Sequence, residues 1–314
     1  MPSDFTIIPY SFGLKNLWDE FVDKSKNGTF LFKRDYMDYH SDRFTDNSYL
    51  FLKNDNPYAI LPACKIGDTL SSHAGLTYGG LIMSEKCTCS SVLGLFEILI
   101  RHLINNKFTS FIYKPVPHIY HKIPSEEDLY ALFRHNAKLK IRNVSSTIKT
   151  EAQIRFHKDR REAVRRAVKN GLFVELSDDL DSFWEILTQN LISKHGVLPV
   201  HTLSEMKSLM NNFPDNIKLY ITTDGSEILA GVLCYLSSQV MHCQYISANE
   251  RGKKTGAVDL IIKYLLDNDA SSIPFFDFGI SNEDSGRYLN ESLIYQKEGF
   301  GGRAICYDTY EITL

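Results

Sequence analysis

The sequence predicts a mixed α/β protein of two tandem domains, each a mixed sheet flanked by helices. Three observations lead there. The chain has 314 residues, about twice the length of a typical domain. Short apolar runs with period two alternate with stretches of helical spacing, and the order of these stretches in the first half recurs in the second. The composition, 43% hydrophobic and 23% charged with a formal charge of -3, is that of a globular protein and carries no bulk positive charge that would point to DNA.

The elements follow from periodicity and punctuation. Phe5 to Tyr10 alternates as a strand, and Leu14, Leu17, Trp18 and Phe21 recur at helical spacing up to Gly28. A second short helix spans 32–44. Tyr49 to Lys53 and Tyr58 to Ile66 read as a hairpin about Asn54-Asp55-Asn56, followed by a strand from Leu70 to Met83. A helix over 91–105 carries Val92, Leu95, Phe96, Leu99 and Leu103 on one stripe. A strand at 110–114, a helix announced by the capping signal Ser125-x-x-Asp128 and a strand at 139–148 complete the half.

A basic helix at about 155–170, closed by Asn170-Gly171, leads into the second half. A strand at 172–176 precedes helices at 180–194 and 203–212, the latter opened by Thr202-x-x-Glu205. Strands follow at 218–222, 228–236 and 240–247, with Asp224-Gly225 as a turn. The helix over 257–267 presents Val258, Ile261, Ile262 and Leu265 on one face. A strand at 275–280, a helix near 286–297 and a final pair of strands between Arg303 and Ile312 end the chain. Each half thus runs strand, two helices, three strands, helix, strand, helix, strand. The expected domains are 1–152 and 153–314, with the functional cleft between them.

The longest apolar run, Val92 to Ile104, is broken by Glu97 and Arg101, and Met1-Pro2-Ser3-Asp4 opens no secretory leader. A cytoplasmic protein without a membrane span is expected. The six cysteines are scattered, with one close pair spaced Cys87-x-Cys89, so neither a zinc site nor a disulfide framework is read.

The stretches Asn27-Gly-Thr-Phe-Leu-Phe32, Ser72-His-Ala-Gly-Leu-Thr-Tyr-Gly-Gly80, Lys158-Asp-Arg-Arg161 through Lys169-Asn-Gly171, Phe275-Phe-Asp-Phe-Gly-Ile-Ser281 and Gln296-Lys-Glu-Gly-Phe-Gly-Gly302 span nearly the whole chain. With the repeated element order, they resemble the tandem-domain members of the GNAT acyltransferase superfamily, the Fem-type transferases and their acyl-CoA-using relatives. The resemblance implies an acyl-CoA N-acyltransferase fold in both halves, and acetyl-CoA or another acyl-CoA as donor. It is strongest to acyltransferases of lipopolysaccharide, O-antigen and capsule synthesis, which implies an amino-sugar acceptor on a nucleotide or lipid diphosphate. Two alternatives stay open: a Fem-like enzyme that takes its donor from charged tRNA and modifies a peptidoglycan precursor, and a non-catalytic glycan-binding module.

Acyl transfer needs a phosphate cradle, an oxyanion donor, a base for the attacking amine and a proton for the leaving thiolate. Arg251-Gly-Lys-Lys-Thr-Gly256 precedes a helix start, where free N–H groups and the dipole favour a diphosphate. The family loop, Gln/Arg-x-x-Gly-x-Gly/Ala, is matched at Arg251 and Gly256, with Lys254 in place of the first glycine; Lys253, Lys254 and Thr255 add charge and polarity. A polar turn at a helix start fits the same residues. The backbone of Gln244, Tyr245, Ile246 and Ser247 is the candidate oxyanion donor.

His201 and His195, at helix boundaries, titrate near neutrality and suit a base or an acceptor contact, though caps are common there too. Asp277 lies inside an apolar strand, where burial is expected to raise its pKa toward that of a general base; a structural hydrogen bond is the other reading. Ser281 and Glu283 follow and could orient an amino group. Tyr288 and Tyr295, seven apart on the expected last helix, share a face and are candidates to protonate the thiolate; core packing explains such spacing equally. The glycine-rich stretch with His73, Thr77 and Tyr78 suits acceptor recognition or, alternatively, a bulge or tight packing contact. Arg160 and Arg161 on the basic helix could hold a diphosphate bidentately, or simply face solvent.

Overall fold

The computed structural model describes residues 5–314, without the side chain of His195; Met1 to Asp4, read above as opening no leader, lie outside the described residues. The chain runs β1 (Phe5–Pro9), α1 (Lys15–Lys24), α2 (Arg34–Met37), β2 (Thr45–Asp46), β3 (Tyr49–Lys53), β4 (Asn56–Leu61), β5 (Cys64–Ile66), β6 (Thr69–Ser71), β7 (Ile82–Met83), α3 (Cys89–Asn105), β8 (Ser110–Tyr113), α4 (Glu127–Arg134) and β9 (Lys138–Lys149). It continues through α5 (Lys158–Lys169), β10 (Phe173–Ser177), α6 (Leu180–His195), α7 (Leu203–Asn212), β11 (Ile217–Thr223), β12 (Ile228–Leu236), β13 (Val240–Ala248), α8 (Glu250–Thr255), α9 (Ala257–Asp267), β14 (Phe275–Ile280), β15 (Asn282–Glu283), β16 (Tyr288–Leu289), α10 (Glu291–Gly299) and β17 (Arg303–Thr313). Two compact units result. The first holds Met1–Asn143, Asp284–Arg287 and Cys306–Leu314; the second holds Val144–Glu283 and Tyr288–Ile305.

In the first unit, β1, β3, β4 and β7 form an antiparallel sheet, and the C-terminal part of β17 pairs with β8 in the order β17-β8-β6-β5-β2. Helix α3 closes its N-terminus with a capping box between Thr88 and Ser91, and buries Val92, Leu95, Phe96, Leu99 and Leu103 against Phe51, Leu61 and Phe111. Removing a leucine or phenylalanine of this kind from water is worth about 1.5–3 kcal/mol each. The expected strand from Leu70 to Met83 is two short strands. Between them the chain bends at His73 (φ 58°), and a Cβ at Gly79 would stand 1.9 Å from the Ser72 carbonyl oxygen, too close for any strand side chain. The capping signal Ser125-x-x-Asp128 also fails: Asp128 is buried, accepts the Tyr113 hydroxyl at 2.6 Å, and burial pushes its carboxyl up to about 7.

In the second unit the sheet order is β10-β11-β12-β13-β14-β9. Its core joins Val232 and Cys234 of β12, Met241 and Cys243 of β13 and Phe276 and Phe278 of β14 to Ile261, Ile262 and Leu265 of α9. The opposite face carries α6 and α7, and α7 begins in the expected Thr202–Glu205 capping box. The helix expected at 286–297 begins later, because Asn290 caps it by accepting from the Leu293 N–H at 3.1 Å. The expected final pair of strands is the single strand β17. Cys64, Cys87, Cys234 and Cys243 are buried free thiols, whereas Cys89 and Cys306 are exposed. No helix among the described residues is long and apolar enough to cross a membrane.

Candidate active site

The candidate site in the second unit lies where two parallel strands part. β13 pairs with β14 from Val240–Phe275 to His242–Asp277 and no further, although β13 continues to Ala248 and β14 to Ile280. Two local irregularities accompany the separation. The β12–β13 register shifts so that Gln244 is extra, a bulge that leaves a backbone group unpaired with β12. In β14, Gly279 takes φ 77°, a left-handed conformation that glycine adopts without Cβ strain, at the register shift against β9.

At the point of separation Asp277 is fully buried and held from three sides. Ser145 Oγ and Thr147 Oγ1 donate to its Oδ1 at 2.5 and 2.6 Å, and Oδ2 lies 2.7 Å from His242 Nδ1. Burial works to raise the carboxyl pKa, but the contact with His242 and the two hydroxyl donors outweigh it, and the pKa is lowered. The raised general-base carboxylate expected from the sequence is therefore corrected. Asp277 is a carboxylate that orients His242: with Nδ1–H donated to it, the Nε2 lone pair is left as the acceptor. The ring runs close to the strand gap, since a Cβ at Gly279 would lie 3.3 Å from His242 Cε1.

Beside the gap is a cavity of about 450 Å³. Ile246, Val258, Ile262, Phe278, Leu293 and Phe300 give it apolar walls, and Asn190, Lys194, Lys253 and Lys297 bring polar groups. Lys297 is buried, and its ammonium donates to the carbonyls of Gly279 (2.8 Å) and Ile280 (2.7 Å), so one of its three donors remains for a ligand. Burial lowers its pKa to about 8, against the opposing pull of Asp277. Asn190 of α6 donates to Ser247 Oγ and the Ala248 carbonyl, both at 2.8 Å, and accepts from Lys253 Nζ at 2.7 Å, tying α6 to the end of β13.

Among the expected coenzyme residues, Ile246, Ser247 and Lys253 line this cavity. Arg251 is turned elsewhere, paired with Asp224 at 2.6 Å and Glu227 at 2.7 Å. The expected loop is the helix α8, capped by Asn249, with the Thr255 hydroxyl donating to the Arg251 carbonyl at 2.9 Å and Lys254 exposed. Gly256 ends α8 at φ 85°, and a Cβ there would stand 2.4 Å from the Ala163 carbonyl oxygen; close packing of α9 on α5 requires this glycine. Tyr245 faces α6 and α7, its ring edge-on to Trp184 and its hydroxyl 2.7 Å from His201 Nδ1. His201 is buried in that pair, outside the cavity.

The remaining candidates scatter. Tyr288 lies in β16, ahead of α10, so it shares no helical face with Tyr295; both are exposed, and the Tyr295 ring is 5.9 Å from that of His157. Ser281 is buried with a hydroxyl lacking a partner among the described residues, while Glu283 is exposed and accepts from Asn290 at 2.9 Å. Arg160 pairs with Asp259 at 3.1 Å and lies over the Phe300 ring; Arg161 lines a separate cavity. The His195 side chain is outside the described part. In the first unit His73 and Tyr78 are buried, burial holding the His73 imidazole down to about 3, and Thr77 is exposed. His242 and Lys297 were not singled out by the sequence; His242 sits in a strand of ordinary alternation, and Lys297 in a helix whose burial only the fold reveals.

Residues 153–288 match the acetyltransferase (GNAT) domain family. That segment covers α5 to β16, and thus His242, Asp277 and most of the cavity wall. Over the whole chain the fold resembles the crystal structure of FemX (12% identity, TM-score 0.69, covering 98% of this chain and 97% of that one). It also resembles L-PGS from Bacillus licheniformis (11%, 0.63, 94% and 90%) and a tandem GNAT protein from the clavulanic acid biosynthesis pathway (9%, 0.51, 98% of each). At these identities the likeness is one of fold, and it bears out the GNAT-type mixed α/β class read from the sequence. No curated protein matches the chain in sequence.

Proposed function

We propose that this chain is a cytoplasmic N-acyltransferase that moves an acyl group from an acyl-CoA to the amine of a sugar carried on a nucleotide or lipid diphosphate. The observation that carries the donor side is the parting of β13 and β14 beyond His242 and Asp277 beside an apolar cavity of about 450 Å³. The residues fit a coenzyme arm: Ile246, Val258, Ile262 and Phe278 would pack on it, and Lys194 and Lys253 would meet its anionic end. Bound there, the coenzyme supplies the activated acyl thioester. The chain's own groups supply the rest. His242 Nε2, held by Asp277, would accept the proton of the attacking amine as the C–N bond forms and return it to the departing coenzyme thiolate as the C–S bond breaks. The free donor of Lys297 supports negative charge on the carbonyl oxygen. The amino-sugar acceptor and a role in surface polysaccharide synthesis rest on the sequence resemblance alone.

Calorimetric titration with acetyl-CoA tests the donor, with Val258→Phe as the variant that fills the cavity. Micromolar binding by the parent chain and a loss of roughly tenfold or more in the variant, about 1.4 kcal/mol, are expected. Absence of acetyl-CoA binding by the parent chain would remove the proposal.

A second reading, a Fem-like transferase using charged tRNA, is favoured by one specific feature. Arg251 is held by Asp224 and Glu227, and Lys253 also donates to Glu250 at 2.5 Å, so carboxylates crowd the place where a coenzyme diphosphate would sit. The fold likeness to FemX points the same way. Salt-sensitive binding of aminoacyl-tRNA without affinity for acetyl-CoA would decide for it.

A further inference from the structure

A second cavity in the same unit, of about 430 Å³, is lined by Ile154, Phe156 and Val164 on its apolar side and by Arg155, Arg161 and Lys263 on its charged side. Lys263 is neutralised by Asp267 at 2.5 Å. Neither Arg155 nor Arg161 has an ion pair among the described residues, and the Arg161 Nε is buried without any hydrogen-bond partner. A buried guanidinium donor left unpaired is costly, and a native chain rarely keeps one that nothing ever meets. The surrounding helix sharpens the imbalance. α5 carries Lys158, Arg160 and Arg161 against the single acid Asp159 within its first four residues, at the positive end of its dipole; Lys158 pairs with Glu162 at 3.8 Å, and His157 gives the helix no side-chain cap. Arg160 is satisfied by Asp159 and Asp259, so the uncompensated charge falls on the two arginines of the cavity.

We propose that this cavity binds the phosphate or diphosphate of an organic ligand whose adjoining part is apolar. Arg161 and Arg155 hold the anion through charge-assisted, fork-shaped hydrogen bonds, and Ile154, Phe156 and Val164 take the neighbouring hydrocarbon. The site is distinct from the cavity beside β13 and β14 and does not depend on which acyl donor enters there.

The full-length chain is titrated with geranyl diphosphate, inorganic pyrophosphate and geraniol, and sedimented with phosphatidylcholine vesicles with and without phosphatidic acid. Geranyl diphosphate is expected to bind more tightly than pyrophosphate, and geraniol not measurably. The double substitution R155Q/R161Q should weaken binding roughly tenfold or more, with R161K intermediate because it keeps the charge and loses the fork. Acetyl-CoA binding and the melting temperature of the double variant serve as controls for the other cavity and for folding. Arginine-dependent binding of the soluble diphosphate places the ligand in solution; arginine-dependent sedimentation only with phosphatidic acid places its phosphate at a membrane. Failure of every phosphate probe to bind, or binding that the double variant leaves unchanged, overturns the proposal while leaving the acyl-donor result standing.

Discussion

The Nδ1 of His242 lies 2.7 Å from the Oδ2 of Asp277, at the last residues where β13 and β14 still pair. That contact sets the tautomer of the imidazole and leaves Nε2 free to accept a proton. His242→Asn is expected to lower turnover about 10²–10⁴-fold, the usual span for removing a general base, with little change in the binding of acetyl-CoA. Asp277→Asn should lower it less, because the hydrogen bond that orients the ring is weakened. Unchanged turnover with intact folding would show that Asp277 only packs.

Asp277 should also mark the acid stability of the second unit. Its folded pKa is depressed below the ordinary 3.8, so it contributes stability that is present above that value and lost as pH falls through the folded one. Thermal melts between neutrality and strong acid should therefore show a steeper decline for the parent chain than for Asp277→Asn. Equal slopes would mean that His242 and the hydrogen bonds from Ser145 and Thr147 do not together favour the charged form.

Lys297 gives the opposite limb. Its pKa is lowered to about 8, and if its charged form supports the carbonyl oxygen, turnover falls above about pH 8. Lys297→Arg should keep the charge and move that limb to higher pH; the check is a kcat profile across the alkaline range. The stability sign is also determined. Between about 8 and 10.5 the unfolded chain binds the proton that the folded chain has released, so this group adds stability as pH rises through that window. The gain, on the order of 3 kcal/mol from 1.36 kcal/mol per unit, should be absent from Lys297→Met and so appear in full as the change with pH of the stability difference between the two chains.

Gly256→Ala tests the packing of α9 on α5. The added methyl would meet the Ala163 carbonyl oxygen at 2.4 Å from a backbone at φ 85°, so both a clash and left-handed strain oppose it. A loss of about 1–3 kcal/mol is expected from such overpacking, read as a fall in melting temperature. A thermally silent substitution would return Gly256 to a ligand-contact role.

Much of the second unit was legible because its signals are local. The Thr202–Glu205 capping box, the apolar stripe of Val258, Ile261, Ile262 and Leu265 and the apolar run of Ile228 to Leu236 each report their own neighbourhood, and the elements stand where these patterns put them. The stretch from Leu70 to Met83 was misread because its alternation is interrupted by a close backbone approach at Gly79 that no local pattern discloses. The site was harder still. Asp277 was found as a carboxylate in an apolar strand, but the sign of its pKa depends on His242 on the neighbouring strand and on Ser145 and Thr147, more than a hundred residues away in sequence. Arg251 matched a loop pattern, yet its charge goes to Asp224 and Glu227 across the hairpin. Lys297 depends in the same way on carbonyls that only the fold brings beneath it.

The placement of the cysteines equips the chain with its own internal clocks. Cys64 and Cys87 are sealed in the first unit and Cys234 and Cys243 in the second, with burial driving the Cys87 thiol up to about 11 and Cys243 well above its ordinary value. Only thiolate reacts with an alkylating reagent, so these four stay silent until their surroundings open, while Cys89 and Cys306 react at once. Mass-resolved labelling over time would thus time the opening of each half separately, without any engineered probe.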